Sequence, residues 1–313
     1  MKGSLQDYVK VGIVHFMIYP VIQGEGPILE TLKRIIQDDY FETIEISWIK
    51  DPHIRQQAKQ MLEASGVSLK YGTQPRLLTQ KLDLNSFVES ERERAVNEVK
   101  SGIDEAVELG ITDVALLSGS YPGAEQKALA MDLLKQSLVE ICLYAETKGT
   151  AIALEVFDQK IDKKCLIGQA EDAKEIADRV SSQCNNFGLI VDLSHIPLLG
   201  ETPAEALRPV AEHLVHVHIG NCYMKEDNDP AFGDLHPRFG YVGGENDVEE
   251  IVAFLEELFH VGYLKADGSA RKDISFEIQP LGGENPELVI ANAKRKLNQA
   301  WQQLKVKANK VVS

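Results

Sequence analysis

Short apolar runs rich in valine and isoleucine recur along the chain, and longer stretches with helical periodicity lie between them. This alternation predicts βαβ units and therefore a parallel sheet. The predicted strands cover residues 9–18, 41–49, 67–73, 112–119, 151–157, 187–194, 213–220 and 273–279. The clearest helical patterns cover residues 28–39, 87–110, 126–149, 170–183, 247–262 and 286–304.

Eight strands, each followed by a helix, without a Pro/Ser-rich linker or a break in composition, predict an α/β fold. We expect a single (β/α)8 TIM barrel domain over residues 1–313. A doubly wound sheet with an added domain is the alternative. The connection after the seventh strand, residues 221–246, is long enough to be functional, and a barrel would place it on the catalytic face.

Charge and composition exclude several classes of function. The net charge of −15 argues against binding to nucleic acid or to anionic membranes. No apolar run approaches the length of a membrane span, and the first residues resemble a strand more than a signal peptide. The four cysteines lie far apart, which predicts reduced thiols and a cytoplasmic protein.

Polar residues at the C-terminal ends of strands are the first candidates for a site in such a barrel. At these ends the fifth, sixth, seventh and eighth predicted strands carry, in that order, Glu155, Asp192, His218 and Glu277. Each glutamate alone could be solvated or salt-bridged. Three carboxylates and an imidazole that converge would repel one another without a cation, so the set predicts a divalent metal site. These ligand types favour Mn²⁺, with Mg²⁺, Co²⁺ or Zn²⁺ as alternatives.

Several further polar residues are candidates for the wall of a pocket. Glu45 alternates with apolar neighbours in "IEISW", which favours an orientation toward the barrel interior. His15 lies on the first strand and could line the same pocket. His216 shares a strand face with His218, so one of the two could be a core residue or could support the other. His236 and Arg238 in the long loop are hydrogen-bond donors suited to sugar hydroxyl, carboxylate or phosphate groups, or they are merely solvated.

Four motifs carry a resemblance to a known family. In chain order, "ALEVFD", "IVDLSH", "VHVHIGN" and "SFEIQP" resemble the Glu, Asp, His, Glu metal quartet of the xylose isomerase-like barrels. The sugar phosphate isomerase/epimerase branch is the most similar, and "FETIEISW" and "GGENDVEEIVAFLEELFHVGY" extend the resemblance over nearly the whole chain. "IGNCY" departs from the short acidic motif that usually follows the ligand histidine.

The resemblance implies roles for individual residues. Glu155, Asp192, His218 and Glu277 would bind the metal, and Glu155 and Glu277 would also act as acid and base. His195 resembles a substrate-binding histidine, with capping of the following turn as the alternative. Asp158 falls where relatives place a polar substrate contact, although an exposed loop aspartate is the simpler interpretation.

The implied function is a divalent-metal-dependent isomerase or epimerase of a sugar or keto-sugar, with proton transfer through a metal-bound enediolate. A lyase, deglycosidase or dehydratase acting on 3-keto-glycosides is the alternative, and a non-catalytic sugar-binding barrel is a third. DNA-repair endonucleases of this fold use a His-rich zinc cluster, which 8 histidines with one clear ligand do not match. We expect a small-molecule carbohydrate partner, no nucleic-acid or membrane partner, and a homo-oligomer or a partner subunit.

Overall fold

Eight parallel strands close a barrel in the computed structural model, which describes residues 3–21 and 23–312. The strands are β1 (Val9–Val14), β2 (Thr43–Ile46), β3 (Ser68–Gly72), β4 (Asp113–Leu117), β5 (Ala151–Glu155), β6 (Phe187–Asp192), β7 (Leu214–Ile219) and β8 (Lys272–Phe276). The helices of the described ranges are α1 (His15–Ile18), α2 (Ile28–Ile36), α3 (Pro52–Ser65), α4 (Gln74–Gln80), α5 (Glu89–Glu108), α6 (Lys127–Thr147), α7 (Ala170–Ser181), α8 (His195–Leu199), α9 (Pro203–Leu207), α10 (Val248–His260) and α11 (Pro286–Val312). The predicted domain also includes residues 1, 2, 22 and 313, which lie outside the described residues.

Closure of the sheet confirms the predicted (β/α)8 barrel. Each strand pairs with the next along the chain, and β8 returns to β1 with a register from Val9↔Lys272 to Ile13↔Phe276. The doubly wound alternative is wrong, because an open sheet leaves two edge strands unpaired. All eight predicted strands are present, and the first is shorter than expected because α1 begins at His15.

Helix α3 is absent from the clearest helical patterns of the sequence, and its surroundings explain why. Only Ala58 and Leu62 are buried along its length, so its apolar stripe is narrow. The carboxylate of Asp51 caps its first turn by accepting hydrogen bonds from the backbone amides of His53 and Ile54. None of the helices within the described ranges combines the length and apolarity needed to cross a bilayer.

A bulge sets the register of β7 against β6. Leu189 pairs with Leu214, but the next residue, Ile190, pairs with His216. Val215 is therefore an extra residue, and it is 44% exposed. Because of this shift Asp192 pairs with His218, so neighbouring strands present these two side chains on the same face.

The long connection between β7 and α10 is anchored to the barrel. Its two arms pair through an isolated bridge between Tyr223 and Gly233. The side-chain amide of Asn246 donates hydrogen bonds to the carbonyl oxygens of Leu193 at 3.0 Å and Gly220 at 3.1 Å. The loop thus has a defined path over the C-terminal ends of β6 and β7.

Candidate active site

The ends of four adjacent strands bring metal-binding side chains together. Glu155 ends β5, Asp192 ends β6, His218 is the penultimate residue of β7, and Glu277 directly follows β8. One ligand atom from each lies within 4.8 Å of the others, and all four side chains are buried. The parallel strands of the barrel therefore converge on one point at their C-terminal ends.

His218 is surrounded by carboxylate oxygens. Its Nδ1 lies 3.0 Å from Glu155 Oε1 and 2.7 Å from Glu277 Oε2, and its Nε2 lies 3.1 Å from Glu45 Oε2. Burial alone would lower the pKa of His218, but the three carboxylates outweigh burial and hold this pKa well above its usual value. The surrounding carboxylates therefore favour positive charge at this position.

This donor set fits a divalent cation. Asp192 Oδ2 is buried and accepts no hydrogen bond within the described part of the chain. Glu277 Oε2 approaches His218 Nδ1 but also lacks a partner with hydrogen-bond geometry there. Buried carboxylate oxygens without partners are costly, and a bound cation would satisfy both of them. Carboxylates with one imidazole are the ligand types used for Mn²⁺ and for several related ions.

The two glutamates of the cluster have different surroundings. The side-chain amide of Gln74 donates a 2.7 Å hydrogen bond to Glu155 Oε2. Burial raises the pKa of Glu277, the nearby Glu155 adds to this effect, and His236 and His218 oppose it without cancelling it. Glu277 therefore keeps a proton more readily than an ordinary glutamate.

Glu45 lies inside the barrel, between His218 and a second histidine. Its Oε1 is 2.6 Å from His216 Nε2, and its Oε2 is 3.1 Å from His218 Nε2. Burial would raise the pKa of Glu45, but the two imidazoles lower it well below its usual value. Glu45 is thus an ionised carboxylate that accepts from both rings.

Asp234, from the long loop, connects three cationic side chains. Its Oδ1 lies 3.1 Å from His195 Nε2 and 3.1 Å from His236 Nε2, and its Oδ2 lies 3.3 Å from Lys163 Nζ. Burial would raise the pKa of Asp234, but these three groups hold it well below its usual value. Conversely, burial would lower the pKa of both histidines, yet Asp234 raises it to about 10 for His195 and about 9 for His236.

His236 approaches the cluster through an unusual backbone conformation. Its φ is 49°, in the left-handed region that side-chain-bearing residues rarely adopt. Its Nε2 lies 3.6 Å from Glu277 Oε1. A Cβ atom on Gly220 would lie 2.8 Å from His236 Nδ1 and 2.7 Å from the carbonyl oxygen of Glu277, so this close approach requires glycine.

A cavity of about 290 Å³ adjoins the cluster. Its polar lining consists of Glu45, Gln74, Thr79, Glu155, Lys163, His218, Asp234, His236, Glu277 and Gln279. Its other lining residues are Phe16, Met17, Pro20, Gly72, Pro75, Leu78, Phe157 and Leu235. The cavity therefore has polar and apolar walls and lies where the ligand set converges, as small-molecule sites commonly do.

Four predicted substrate contacts do not line this cavity: His15, Asp158, His195 and Arg238. His15 is buried elsewhere, with Nε2 2.8 Å from Thr31 Oγ1. Arg238 donates a 2.8 Å hydrogen bond from Nε to Glu284 Oε1 and is partly exposed. His195 is buried outside the cavity, with its Nε2 3.1 Å from Asp234 Oδ1.

Asp158, the fourth of these residues, takes part in a separate structural contact. Its Oδ1 accepts hydrogen bonds from the backbone amides of residues 160, 161 and 162, and its Oδ2 accepts one from the amide of Lys163. It is also fully buried, so the interpretation as an exposed loop residue is wrong. Asp158 holds the loop after β5 in a tight turn.

Gln74, Asp234 and Lys163 are among the lining residues that sequence reasoning did not select. Gln74 begins α4 two residues after the end of β3, so extending the search of strand ends to the third strand would have found it. Asp234 lies two residues before His236 in the long loop, whose length was the available signal. Lys163 had no sequence signal, because only folding brings the loop after β5 against Asp234.

Comparisons with known proteins agree with the barrel fold of this chain. The family model described as xylose isomerase-like TIM barrel matches residues 36–267. A solved L-ribulose 3-epimerase is 18% identical, with 97% of this chain and 98% of that chain covered and a TM-score of 0.72. The IOLI protein with a bound zinc atom is 17% identical, with 95% and 99% covered and a TM-score of 0.69.

A third solved structure, the 3-keto-D-glucoside 4-epimerase YcjR from E. coli, is 16% identical, with 95% of this chain and 99% of that chain covered and a TM-score of 0.60. No curated protein matches the chain significantly. The likeness to solved structures concerns the fold, whereas the family match spans most of the chain. The match confirms the predicted family, and this chain belongs to the xylose isomerase-like TIM barrel family.

Proposed function

We propose that this protein is a divalent-metal-dependent isomerase or epimerase of a sugar or keto-sugar. The observation that supports this proposal is the buried cluster of Glu155, Asp192, His218 and Glu277 beside a cavity of about 290 Å³. Mn²⁺ is the proposed metal, with Mg²⁺, Co²⁺ or Zn²⁺ as alternatives. The zinc atom in the structurally similar IOLI protein supports a divalent ion.

The proposed chemistry is the removal and return of a proton next to a carbonyl group. The cation would supply positive charge that stabilises the developing enediolate. Glu155 and Glu277 lie 3.0 Å and 2.7 Å from His218 Nδ1, and both line the cavity. One of these carboxylates takes the proton, and the other returns a proton to the opposite face of the same carbon or to its neighbour.

Other residues of this chain would hold the substrate. His236, Lys163 and Gln279 line the cavity, and their side chains carry hydrogen-bond donors. Asp234 holds the side chains of His236 and Lys163 in place. We propose that these donors bind sugar hydroxyl or carbonyl oxygens, and that the enzyme acts on a small-molecule carbohydrate in the cytoplasm, as a homo-oligomer or with a partner subunit.

A lyase or dehydratase acting on 3-keto-glycosides is the second candidate. The apolar lining from Phe16, Met17, Leu78 and Leu235 favours it, because a free sugar offers little apolar surface to such a wall. The structural similarity to a 3-keto-D-glucoside 4-epimerase also supports keto-glycosides as substrates. In this version the same carboxylates remove the proton, and a substituent on the adjacent carbon leaves.

Proton exchange distinguishes these candidates. The metal-stripped protein is reconstituted with Mn²⁺ and incubated in D₂O with free ketoses or with 3-keto-glycosides, and products are followed by proton NMR. An isomerase or epimerase incorporates deuterium into an isomeric sugar, whereas a lyase releases the aglycone. Turnover that persists after EDTA treatment would contradict the metal-dependent versions, and binding without exchange or release would indicate a sugar-binding barrel.

Replacement of Glu277 by glutamine tests the acid/base assignment. We expect Glu277→Gln to lower kcat by about 10²–10⁴-fold, the range for loss of a general acid or base. Metal content is measured in parallel, since Glu277 is also a proposed ligand. The control is Glu256→Gln, whose side chain pairs with Lys307 on the exposed surface. Wild-type kcat in Glu277→Gln would disprove the assignment.

A further inference from the structure

Glu45 lines the cavity, but both of its oxygens already have partners. Oε1 lies 2.6 Å from His216 Nε2, and Oε2 lies 3.1 Å from His218 Nε2. All three side chains are nearly inaccessible to solvent. A carboxylate with both oxygens occupied by buried ring nitrogens is poorly placed to bind a substrate hydroxyl group.

We infer that Glu45 is a positioning residue that prepares His218 to bind the metal. This inference rests on the metal site of the proposed function. A neutral imidazole binds a metal through the nitrogen that carries no proton, and the other nitrogen carries the proton. Nδ1 is the nitrogen of His218 that faces Glu155 and Glu277, so its ring proton must lie on Nε2, where Glu45 Oε2 accepts it.

His216 completes the arrangement by holding Glu45 in turn. Its Nε2 lies 2.6 Å from Glu45 Oε1, and because a carboxylate oxygen can only accept, the ring donates its Nε2 proton to Glu45. The rings of His216 and His218 are 5.0 Å apart at an interplanar angle of 85°, so the carboxylate bridges two nearly perpendicular donors. The hydrogen bonds that Glu45 accepts from His216 and His218 thereby fix both the orientation and the tautomer of the His218 ring.

The strands place these residues without help from a loop. Glu45 lies on β2, and both histidines lie on β7, which is separated from β2 by β8 and β1 around the barrel. The contacts therefore span the barrel interior, where the backbone is held by the closed sheet. Such a rigid connection suits a residue that orients a ligand, since small displacements of a ligand weaken metal binding.

The same three residues could instead bind a second cation, because one atom from each lies within 4.8 Å of the others. The hydrogen bonds favour the positioning role, since both oxygens of Glu45 accept from ring nitrogens. The two alternatives differ in stoichiometry. A positioning carboxylate leaves one Mn²⁺ per chain, whereas a ligand carboxylate would bring a second.

Titration with Mn²⁺ tests the inference on the full-length protein. The free ion is followed by electron paramagnetic resonance, and the visible spectrum of the Co²⁺ form reports ligand geometry. Glu45→Gln keeps the shape of the side chain but cannot accept from both rings equally. We expect it to raise the Kd for Mn²⁺ by about 10–100-fold and to change the Co²⁺ spectrum. His216→Gln should act in the same direction with a smaller increase.

Thr43→Val is the matched control. Thr43 lies on the same strand and face as Glu45 and is equally buried, but its hydroxyl donates to Asp273. We expect it to lower thermal stability with an unchanged Kd for Mn²⁺. Circular dichroism verifies the fold of each variant, and Glu45→Asp, too short to reach both rings, replaces Glu45→Gln if the latter does not fold.

Each outcome decides between the hypotheses. An unchanged Kd in a folded Glu45 variant would overturn the positioning role while leaving the metal site intact. Two Mn²⁺ ions per wild-type chain, one of them lost in Glu45→Gln, would make Glu45 a ligand instead. A wild-type protein that binds no Mn²⁺ would overturn the proposed function together with this inference.

Discussion

Two buried carboxylates in this chain are held in different ways. Asp158 accepts four hydrogen bonds from backbone amides, which satisfy both of its oxygens. Asp192 accepts one, from the amide of Ser194, and its other oxygen has no partner among the described residues. Hydrogen bonds alone explain the burial of Asp158. Asp192, unlike Asp158, therefore has an oxygen that could bind a cation.

His15 is a buried histidine outside the site, and it predicts a pH dependence of stability. Burial lowers its pKa to about 3, so the unfolded chain binds its proton first as the pH falls. Its contribution to stability is complete above the unfolded pKa of about 6.5. It is then lost as the pH falls through this range toward the folded pKa, at up to about 1.4 kcal/mol per pH unit.

We therefore expect the wild-type protein to lose more stability than His15→Gln between about pH 7 and about pH 4.5. The measurement is the free energy of unfolding in urea at several pH values. His53→Gln serves as the control because His53 is exposed on α3. Equal slopes for wild type and His15→Gln would contradict the assignment of a buried neutral ring.

At the scale of elements, the bulge in β7 decides which of its residues meet the ligands of β6. Without Val215 as an extra residue, the register that begins at Leu189↔Leu214 would place Val217 beside Asp192. The bulge advances the strand by one position and places His218 there instead. A local irregularity in one strand thus completes the ligand set.

The cap of α3 predicts a local loss of stability that leaves the site unaffected. Asp51→Ala removes the acceptor for the amides of His53 and Ile54, so we expect the free energy of unfolding to fall by about 1 kcal/mol. Denaturant unfolding measures the loss, and Mn²⁺ titration should give the wild-type Kd. Asp51→Asn is the control, since asparagine also caps helices well. Undiminished stability of Asp51→Ala would show that the cap contributes nothing.

At the scale of the whole molecule, the site joins parts of the chain that are far apart in sequence. Glu45 on β2, Gln74 on α4, Asp234 in the long loop and Glu277 after β8 line one cavity. Several buried carboxylates lie together there. A bound cation would reduce the repulsion between these carboxylates. It would also link the ends of strands that otherwise interact only through the sheet.

Metal binding should therefore stabilise the entire fold. At a Mn²⁺ concentration of about 100 times Kd, the stabilisation is about 2.7 kcal/mol, which raises Tm by on the order of 5 °C. Thermal unfolding of the EDTA-treated protein with and without Mn²⁺ measures this shift. Asp192→Asn should abolish most of it. The same shift in Asp192→Asn as in wild type would place the stabilising ion elsewhere.

The candidate ligands were predictable from sequence because apolar strands are easy to recognise and because the ends of parallel strands meet in a barrel. Glu155, Asp192 and Glu277 lie at the ends of apolar strands, and parallel strands of a barrel place such ends together. The roles of Glu45 and Asp158 were not predictable, since a pattern of alternating residues gives the direction of a side chain but not its partners. Lys163 and Asp234 meet only because two loops fold against each other.

The order of strands and helices, the barrel and the four candidate ligands follow from the sequence, because hydrophobic periodicity and strand-end position are local properties. The register of β7, the partners of Glu45 and the left-handed backbone at His236 were decided by the tertiary structure. These features depend on packing between distant segments, whose energies are absent from any local pattern. Strand-end position therefore selects the candidate ligands, whereas the folded barrel decides that other buried carboxylates, such as Glu45 and Asp158, are satisfied by groups of the protein itself.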